Sequence, residues 1–513
     1  MYKVKVHFVY RPQRIIWHST GKYIYRVLIV VVTNNFYPKH PTCACDTYNT
    51  YLSTPRTFGN FVPEQSTRMT AMILLDLVLT FFTHFCTITS SYRKANAQLN
   101  SLNSHPPVPM RKPLVRIPYT DVLAPPTIVP RSANTFPGAV ASLQNFLCAP
   151  SPSGFPSGAV VLSGAGLSVA SGLADYRGLK GTYRVNKTYK PIYYHEFIGH
   201  HEARKRYWAR SFLGWTTLRK ASPNPGHYAI RDLADLGFVR SVITQNVDSF
   251  HPQAHPSLPT LELHGYLRST VCITCRSEYP RDTFQSELAR LNPLWDEFLT
   301  DVLASGALDT EDPAERETKG IRTNPDGDVD LPGAPYTTFR YPACHKCLAD
   351  PPPGPDGSRH IVHVDRDGAW KPTSTGGILK PAVVMFGENI AGSVKTAADE
   401  AIDAAGKLLV LGTSLATYSA WRLAKRALER GMPIAIVNIG GVRGEEQFYA
   451  TVDGTQTGEQ RVRVEFSTDT LLPALVDQLR QSSSTSAARV STTPAADMTA
   501  EGNNHAMFKN MLS

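Results

Sequence analysis

Short apolar runs alternate with stretches of helical periodicity from about residue 136 to residue 480. AVVLS (159–163), VRSVITQ (239–245), AVVMF (382–386), KLLVLG (407–412) and IAIVNI (434–439) are almost continuous in aliphatic residues. Runs of that length and composition suit strands covered on both faces, as in a parallel sheet. Between them, residues 137–147, 202–215, 225–236, 394–405 and 420–430 carry apolar positions at helical spacing. The alternation predicts an α/β fold, a Rossmann-like parallel sheet wrapped by helices.

The pattern breaks down in three places. Between Cys272 and Pro381 the chain becomes charged and rich in Pro and Gly, which reads as a small module of about 266–380 inserted in the larger fold. Residues 1–112 mix aromatic, β-branched and basic residues without a sustained period. They are expected to be a targeting segment, or to reflect a start codon set too early, with Met69, Met72 and Met110 as later starts. The run AMILLDLVLTFFTHFCTI (71–88) is long enough to cross a bilayer, but Asp76 and His84 inside it argue against a span. Residues 89–114 have the Arg- and Ser-containing, acid-poor character of a transit peptide. After Gln481 the low-complexity sequence predicts a disordered tail over 481–513.

The net charge of +10 suggests nucleic acid only until it is located. Residues 1–110 hold 11 Lys/Arg and 3 Asp/Glu, leaving 42 and 40 for the remainder. The main body is therefore close to neutral, and no specific nucleic-acid binding is expected of it.

Candidate chemistry sits at the ends of the apolar runs. After AVVLS comes Gly164-Ala165-Gly166, a turn that lets backbone approach a pyrophosphate. Val169 stands where the usual fingerprint has a third glycine, so this turn alone fits either a nucleotide site or a plain strand-turn. Polar residues continue beyond it, with Ser168, Ser171 and then Asp175-Tyr176-Arg177. Thr244-Gln245-Asn246-Val247-Asp248 follows the second run and offers amides and a carboxylate to a ribose and a carboxamide, or an Asx-type turn. His264, in LELHG, is either a structural histidine or a base suited to removing a hydroxyl proton near neutral pH. Gly412-Thr413-Ser414 and Asn438-Ile439-Gly440 place small and amide groups at two further strand ends. Asn438 could stand in for the ribose-binding acid that is not evident elsewhere.

Cys272-x-x-Cys275 and Cys344-x-x-Cys347 form two chelating pairs, the donor set of a closed, structural Zn²⁺ site. Free thiols suit a reducing compartment. The 68 residues between the pairs imply a long insertion, and His345 could compete as a ligand.

Taken in order, GAGLSVASGLADYRG, TQNVDSFH, LELHG, the paired cysteines, KPAVVMFGE, GTSL and VNIG resemble the sirtuin family of NAD-dependent protein deacylases. The likeness covers about 136–480, within a catalytic domain of 113–480. RYWARSFLGW, PNPGHYA, TYSAWR and NPDGDVDLP look most like its class II, mitochondrial sirtuin-4 type. The resemblance implies cleavage of the nicotinamide–ribose bond of NAD and transfer of an acyl group from a protein lysine to ADP-ribose. It implies a mitochondrial matrix location, and the same NAD site would also serve protein mono-ADP-ribosyl transfer. A less favoured alternative is a non-catalytic NAD- and zinc-binding module.

By that resemblance His264 is the catalytic base, and Gln245, Asn246, Val247 and Asp248 surround the ribose and nicotinamide. Gly164, Ala165, Gly166 and Ser168 form the phosphate turn, while Asp175, Tyr176 and Arg177 lie in a loop that closes over the cofactor. Gly412, Thr413, Ser414, Asn438, Ile439 and Gly440 meet phosphates and adenosine. Tyr207 and Arg210, spaced i, i+3 on one helix face, are candidate receptors for an acidic acyl group, though an ordinary amphipathic helix explains them equally. Two positions depart from the family pattern. Leu173-Ala174 stands where many members have Ile-Pro, and Tyr418-Ser419 stands where a proline often follows GTSL.

Overall fold

In the computed structural model the described residues are 120 and 122–491, apart from 187–188, 307, 309–321, 325–326, 332, 355 and 451–457. The extension expected over 1–112, the apolar run 71–88 and the tail beyond 491 lie outside them.

The strands, in chain order, are β1 (Ala159–Ser163), β2 (Val239–Thr244), β3 (Thr260–Glu262), β4 (Gly265–Cys272), β5 (Glu278–Pro280), β6 (Arg322–Thr323), β7 (Val329–Asp330), β8 (Leu379–Val383), β9 (Lys407–Leu411), β10 (Ile434–Val437) and β11 (Arg461–Val464). Six of them form one parallel sheet in the order β11-β10-β9-β1-β2-β3. The chain starts in the middle, walks to one edge, then returns to build the other half from β9. This is the doubly wound arrangement, with its switch of direction between β1 and β9.

The apolar runs are continuous because both sheet faces are covered. Val161, Val242, Leu409, Leu411, Val437 and Val464 pack on one side beneath the helices α1 (Phe136–Cys148), α3 (Pro225–Asp235) and α8 (Thr468–Ser491). Val160, Leu162, Ile243, Leu408, Val410 and Ile436 pack on the other beneath α6 (Gly392–Asp403) and α7 (Tyr418–Glu429). Alternate residues of one strand thus feed opposite cores.

A third core gathers around the four cysteines. It joins β4, β5 and β8, an antiparallel sheet, to the helices α4 (Arg281–Leu291) and α5 (Pro293–Ala304). The helix α2 (His201–Lys220) also belongs there, through Trp208, Phe212 and Leu213. The small module therefore draws on two segments, one between β1 and β2 and one between β3 and β9. The sequence boundaries of about 266–380 capture only the second.

Two other expectations need correction, and one strand goes unannounced in the sequence. AVVMF is not a strand of the parallel sheet: the strand lies at Leu379–Val383 and pairs antiparallel with β4. An apolar run reports burial, not the sheet it joins. β11, RVRV, was not expected, because alternating arginines read as exposed; yet Arg463 is 0% exposed and ion-paired with Glu445 at 2.6 Å. Finally, α8 continues to Ser491, past the tail boundary at 481.

Candidate active site

Two glycine turns meet where the sheet reverses direction. Gly164 and Gly166 follow β1, and Gly412 follows β9; the Gly166 amide donates to the Gly412 carbonyl at 2.8 Å. A Cβ on Gly164 would lie 2.6 Å from Thr413 Cβ, and one on Gly166 would lie 2.8 Å from the Gly412 oxygen. Gly412 is left-handed, with φ +58, and a Cβ there would approach the Leu167 amide to 2.3 Å. These glycines are required by the close approach of the turns themselves. The residues after Gly164 form a 3₁₀ turn, Ala165–Ser171, so Val169 (45% exposed) is not asked to pack a helix onto the sheet. The missing third glycine is thereby explained.

Asn224 clamps this turn from α3. Its side-chain oxygen caps the helix at the Gly226 amide (2.9 Å), and its amide donates to the Leu167 carbonyl (2.7 Å) and Ser171 Oγ (3.0 Å).

The polar residues after β2 are tied into the same place. Gln245 Nε2 donates to the Ser163 carbonyl at 3.1 Å and Thr413 Oγ1 at 2.9 Å, while its Oε1 accepts from Thr417 Oγ1 at 3.1 Å. Asn246 Nδ2 donates to the Gly164 carbonyl (3.2 Å) and Ser168 Oγ (3.0 Å). Ser168 Oγ in turn donates to Asp248 at 2.7 Å. Burial raises the Asp248 carboxyl above its ordinary pKa, against the opposing pull of the Phe250 amide and Ser168 hydroxyl. Val247 contributes its carbonyl, which accepts from the Leu267 amide at 2.9 Å.

His264 stands at the end of β3, opposite this group. Its Nδ1 faces the Gln245 carbonyl at 3.1 Å and its Nε2 faces Ser419 Oγ at 2.8 Å. Burial lowers its pKa to about 4, only partly countered by the Gln245 carbonyl, so the ring is neutral near pH 7. Ser419 carried no chemical role in the sequence reading. Its contact with His264 joins residues 155 positions apart, which no local spacing can announce.

The Asp175-Tyr176-Arg177 loop is folded on itself beside this site. Asp175 Oδ1 accepts from the Gly178 amide at 2.8 Å, and Arg177 lies 5.0 Å from the Tyr183 ring centre. Burial raises the Asp175 pKa and lowers that of Arg177. Tyr176 packs edge-on against Phe386 at 6.3 Å, just beyond the Val384 amide that donates to the His264 carbonyl at 2.7 Å. On the far half of the sheet, Asn438 Nδ2 donates to the Ile439 and Gly440 carbonyls, both at 3.1 Å. The Ser414 carbonyl accepts from the Arg443 amide at 2.9 Å, linking that loop to the β9 turn.

Tyr207 and Arg210 are not brought to the site as free receptors. Both are buried in the small module, Tyr207 against Phe197 and Trp208. Arg210 pairs with Asp328 at 2.7 Å and with Asp330 at 3.9 Å. Its charge is already answered, so the reading of this pair as an acyl-carboxylate receptor is set aside.

The four cysteine sulfurs lie within 4.8 Å of one another. Cys272 and Cys347 are 3.6 Å apart, as are Cys275 and Cys344. Four thiolates at about 2.3 Å from one zinc ion would stand about 3.8 Å apart, so the cluster fits a structural Zn²⁺. His345 is exposed and takes no part.

A doubly wound sheet with glycine turns at its switch point, an amide- and carboxylate-lined cleft and a four-thiolate module defines a zinc-bearing nucleotide-binding protein of Rossmann type. Comparison with known proteins narrows this. A model described as the Sir2 family matches residues 164–419. The NAD-dependent protein deacylase SIR4 of Batrachochytrium dendrobatidis is 40% identical over 291 residues, 56% of this chain and 82% of that protein. The NAD-dependent protein deacylase SRT2 of Arabidopsis thaliana is 37% identical over 287 residues, 56% of this chain and 67% of its own length. The NAD-dependent protein deacetylase 2 of Bradyrhizobium diazoefficiens is 35% identical over 286 residues, covering 56% and 85%. The chain belongs to the Sir2 family.

Proposed function

We propose that this protein is an NAD-dependent protein-lysine deacylase, converting acyl-lysine, NAD and water to lysine, nicotinamide and O-acyl-ADP-ribose. The observation that carries the reading is His264, neutral and tied through Nδ1 to the carbonyl of Gln245, beside Asn246 and Asp248 at the sheet's switch point. Relatives named as deacylases and deacetylases support it.

Gly164, Ala165, Gly166, Thr413 and Ser414 would hold the pyrophosphate through backbone amides and hydroxyls, as turns at strand C-termini do. Asn438, Ile439 and Gly440 would take the adenosine side. Gln245, Asn246, Val247, Asp248 and Ser168 would line the ribose and nicotinamide pocket, with Asp175, Tyr176 and Arg177 closing over it. NAD, when bound, supplies an electrophilic ribose carbon once nicotinamide departs. No hydride acceptor is needed, which suits a turn that lacks the dehydrogenase fingerprint. His264 takes a hydroxyl proton at its unprotonated nitrogen.

The substrates on this reading are acyl-lysine proteins. With Arg210 committed to Asp328, a neutral acyl chain fits better than a dicarboxylic one. We place the protein in the mitochondrial matrix by its subgroup resemblance, a proposal that imaging of a C-terminal fluorescent fusion checks.

The test is incubation of the purified protein with NAD and a panel of acyl-lysine peptides, followed by mass spectrometry. Nicotinamide and O-acyl-ADP-ribose should appear together, and His264→Ala should remove the second. No O-acyl-ADP-ribose from any peptide overturns the reading, and ADP-ribose attached to protein instead would favour mono-ADP-ribosyl transfer.

A further inference from the structure

We propose that Ser419 is the second member of the proton-accepting pair, handing to His264 the proton that the base removes. The inference rests on the deacylase reading. Ser419 Oγ lies 2.8 Å from His264 Nε2, while Nδ1 lies 3.1 Å from the Gln245 carbonyl. A carbonyl can only accept, so Nδ1 carries the ring hydrogen and Nε2 carries the lone pair. The Ser419 hydroxyl is therefore the donor to Nε2.

An imidazole nitrogen has one in-plane lone pair, and while Ser419 holds it no second hydroxyl can bond there at full strength. One path leaves both ring hydrogen bonds in place. An incoming sugar hydroxyl gives its proton to Ser419 Oγ as the serine's own proton passes to Nε2. The serine ends as it began, the ring gains one proton and its positive charge, and the sugar oxygen keeps the electron pair.

The position of Ser419 suits that traffic. It is the second residue of α7, whose N-terminal potential stabilises negative charge on Oγ in transit. Thr417, the residue preceding the helix, turns its hydroxyl the same way, onto Gln245 Oε1 at 3.1 Å. Ser419 is half-buried, as is His264. A proline at this place, as the family pattern often has, would offer no hydroxyl.

The experiment compares wild type, Ser419→Ala and Ser419→Thr in the full chain. In the ligand-free protein, diethyl pyrocarbonate labelling of His264, mapped by peptide mass spectrometry, should run faster in S419A because the lone pair is freed. Deacylation should fall about 10²- to 10⁴-fold, the scale of a lost proton-transfer group, and S419T should restore most of it. Nicotinamide exchange, which needs bond cleavage but not the base, should fall much less than deacylation. Unchanged labelling overturns the proposal. So does unchanged or faster deacylation in S419A, which would make the serine a bystander or a competitor, or a parallel fall of both reactions, which would make its role structural. Failure of the deacylase reading itself is separate: it shows as a wild-type protein with no acyl transfer at all.

Discussion

At the scale of single residues, Arg210 shows why spacing alone misleads. It is 4% exposed and Asp328 is 6% exposed, and the two meet at 2.7 Å. Neither charge has water to fall back on. Breaking such a pair leaves a buried charge unanswered, at a cost of about 3–5 kcal/mol. Asp330, at 3.9 Å, recovers part of that for Arg210. Asp328→Ala is therefore expected to lower the thermal midpoint by several degrees, read by calorimetry, and to leave the ratio of turnover on glutaryl-lysine to turnover on a neutral acyl-lysine unchanged. If Arg210→Met instead abolished turnover of the acidic peptide alone at wild-type stability, Arg210 would be an acyl receptor after all. The Tyr-x-x-Arg pattern was legible as one helix face. Its partner was not, because Asp328 comes from an insertion more than a hundred residues later.

At the scale of elements, the junction of β1 and β9 concentrates the constraint. Gly412→Ala must hold φ near +58 and push a methyl toward the Leu167 amide, so the two turns must part. Its expected result is a loss of about 1–3 kcal/mol and weaker NAD binding by calorimetric titration, with the zinc content unchanged. The four-cysteine cluster lies inside a different core, so chelation should act differently. Treatment with 1,10-phenanthroline should release one zinc per chain and lower the thermal midpoint, with Cys272→Ser reproducing the effect. Zinc-free protein of unchanged midpoint would show that the site is not structural. These elements differ in how far the sequence announces them. AVVLS was readable to the residue because both of its faces are covered, and the cysteine pairs because chelation is local chemistry. β11 was hidden because Arg461 and Arg463 look like solvent positions, although Arg463 donates to the Asn438 and Gly440 carbonyls from a fully buried place. Ser419 was hidden because its chemistry exists only in the fold.

At the scale of the molecule, several buried or half-buried imidazoles make stability depend on pH. Burial lowers His264 to about 4 and His227 to about 3, and holds His251 well below its ordinary value. His251 is held at both ring nitrogens, Nε2 against Ser163 Oγ at 2.7 Å and Nδ1 against His255 Nε2 at 2.9 Å, and desolvation disfavours the charged ring. The unfolded chain protonates these rings near pH 6.5, whereas the native protein does not. Above that pH both states are neutral and the rings contribute no slope. Below it the unfolded state binds more protons, and stability falls by about 1.4 kcal/mol per pH unit for each ring until the native values are reached. Asp175 and Asp248, raised by burial, act in the opposite sense by taking up protons first in the native state. Hydrogen bonds from the Gly178 amide, the Phe250 amide and Ser168 oppose that rise without cancelling it; with His201 and His255 also lowered by burial, the imidazoles outnumber the two carboxyls and set the expected sign. The urea midpoint should therefore be level near pH 7–8 and drop between pH 6.5 and 4, and His227→Gln should shallow the drop by about one proton. A midpoint that stays level or rises across that window would mean that the rings are protonated in the native state.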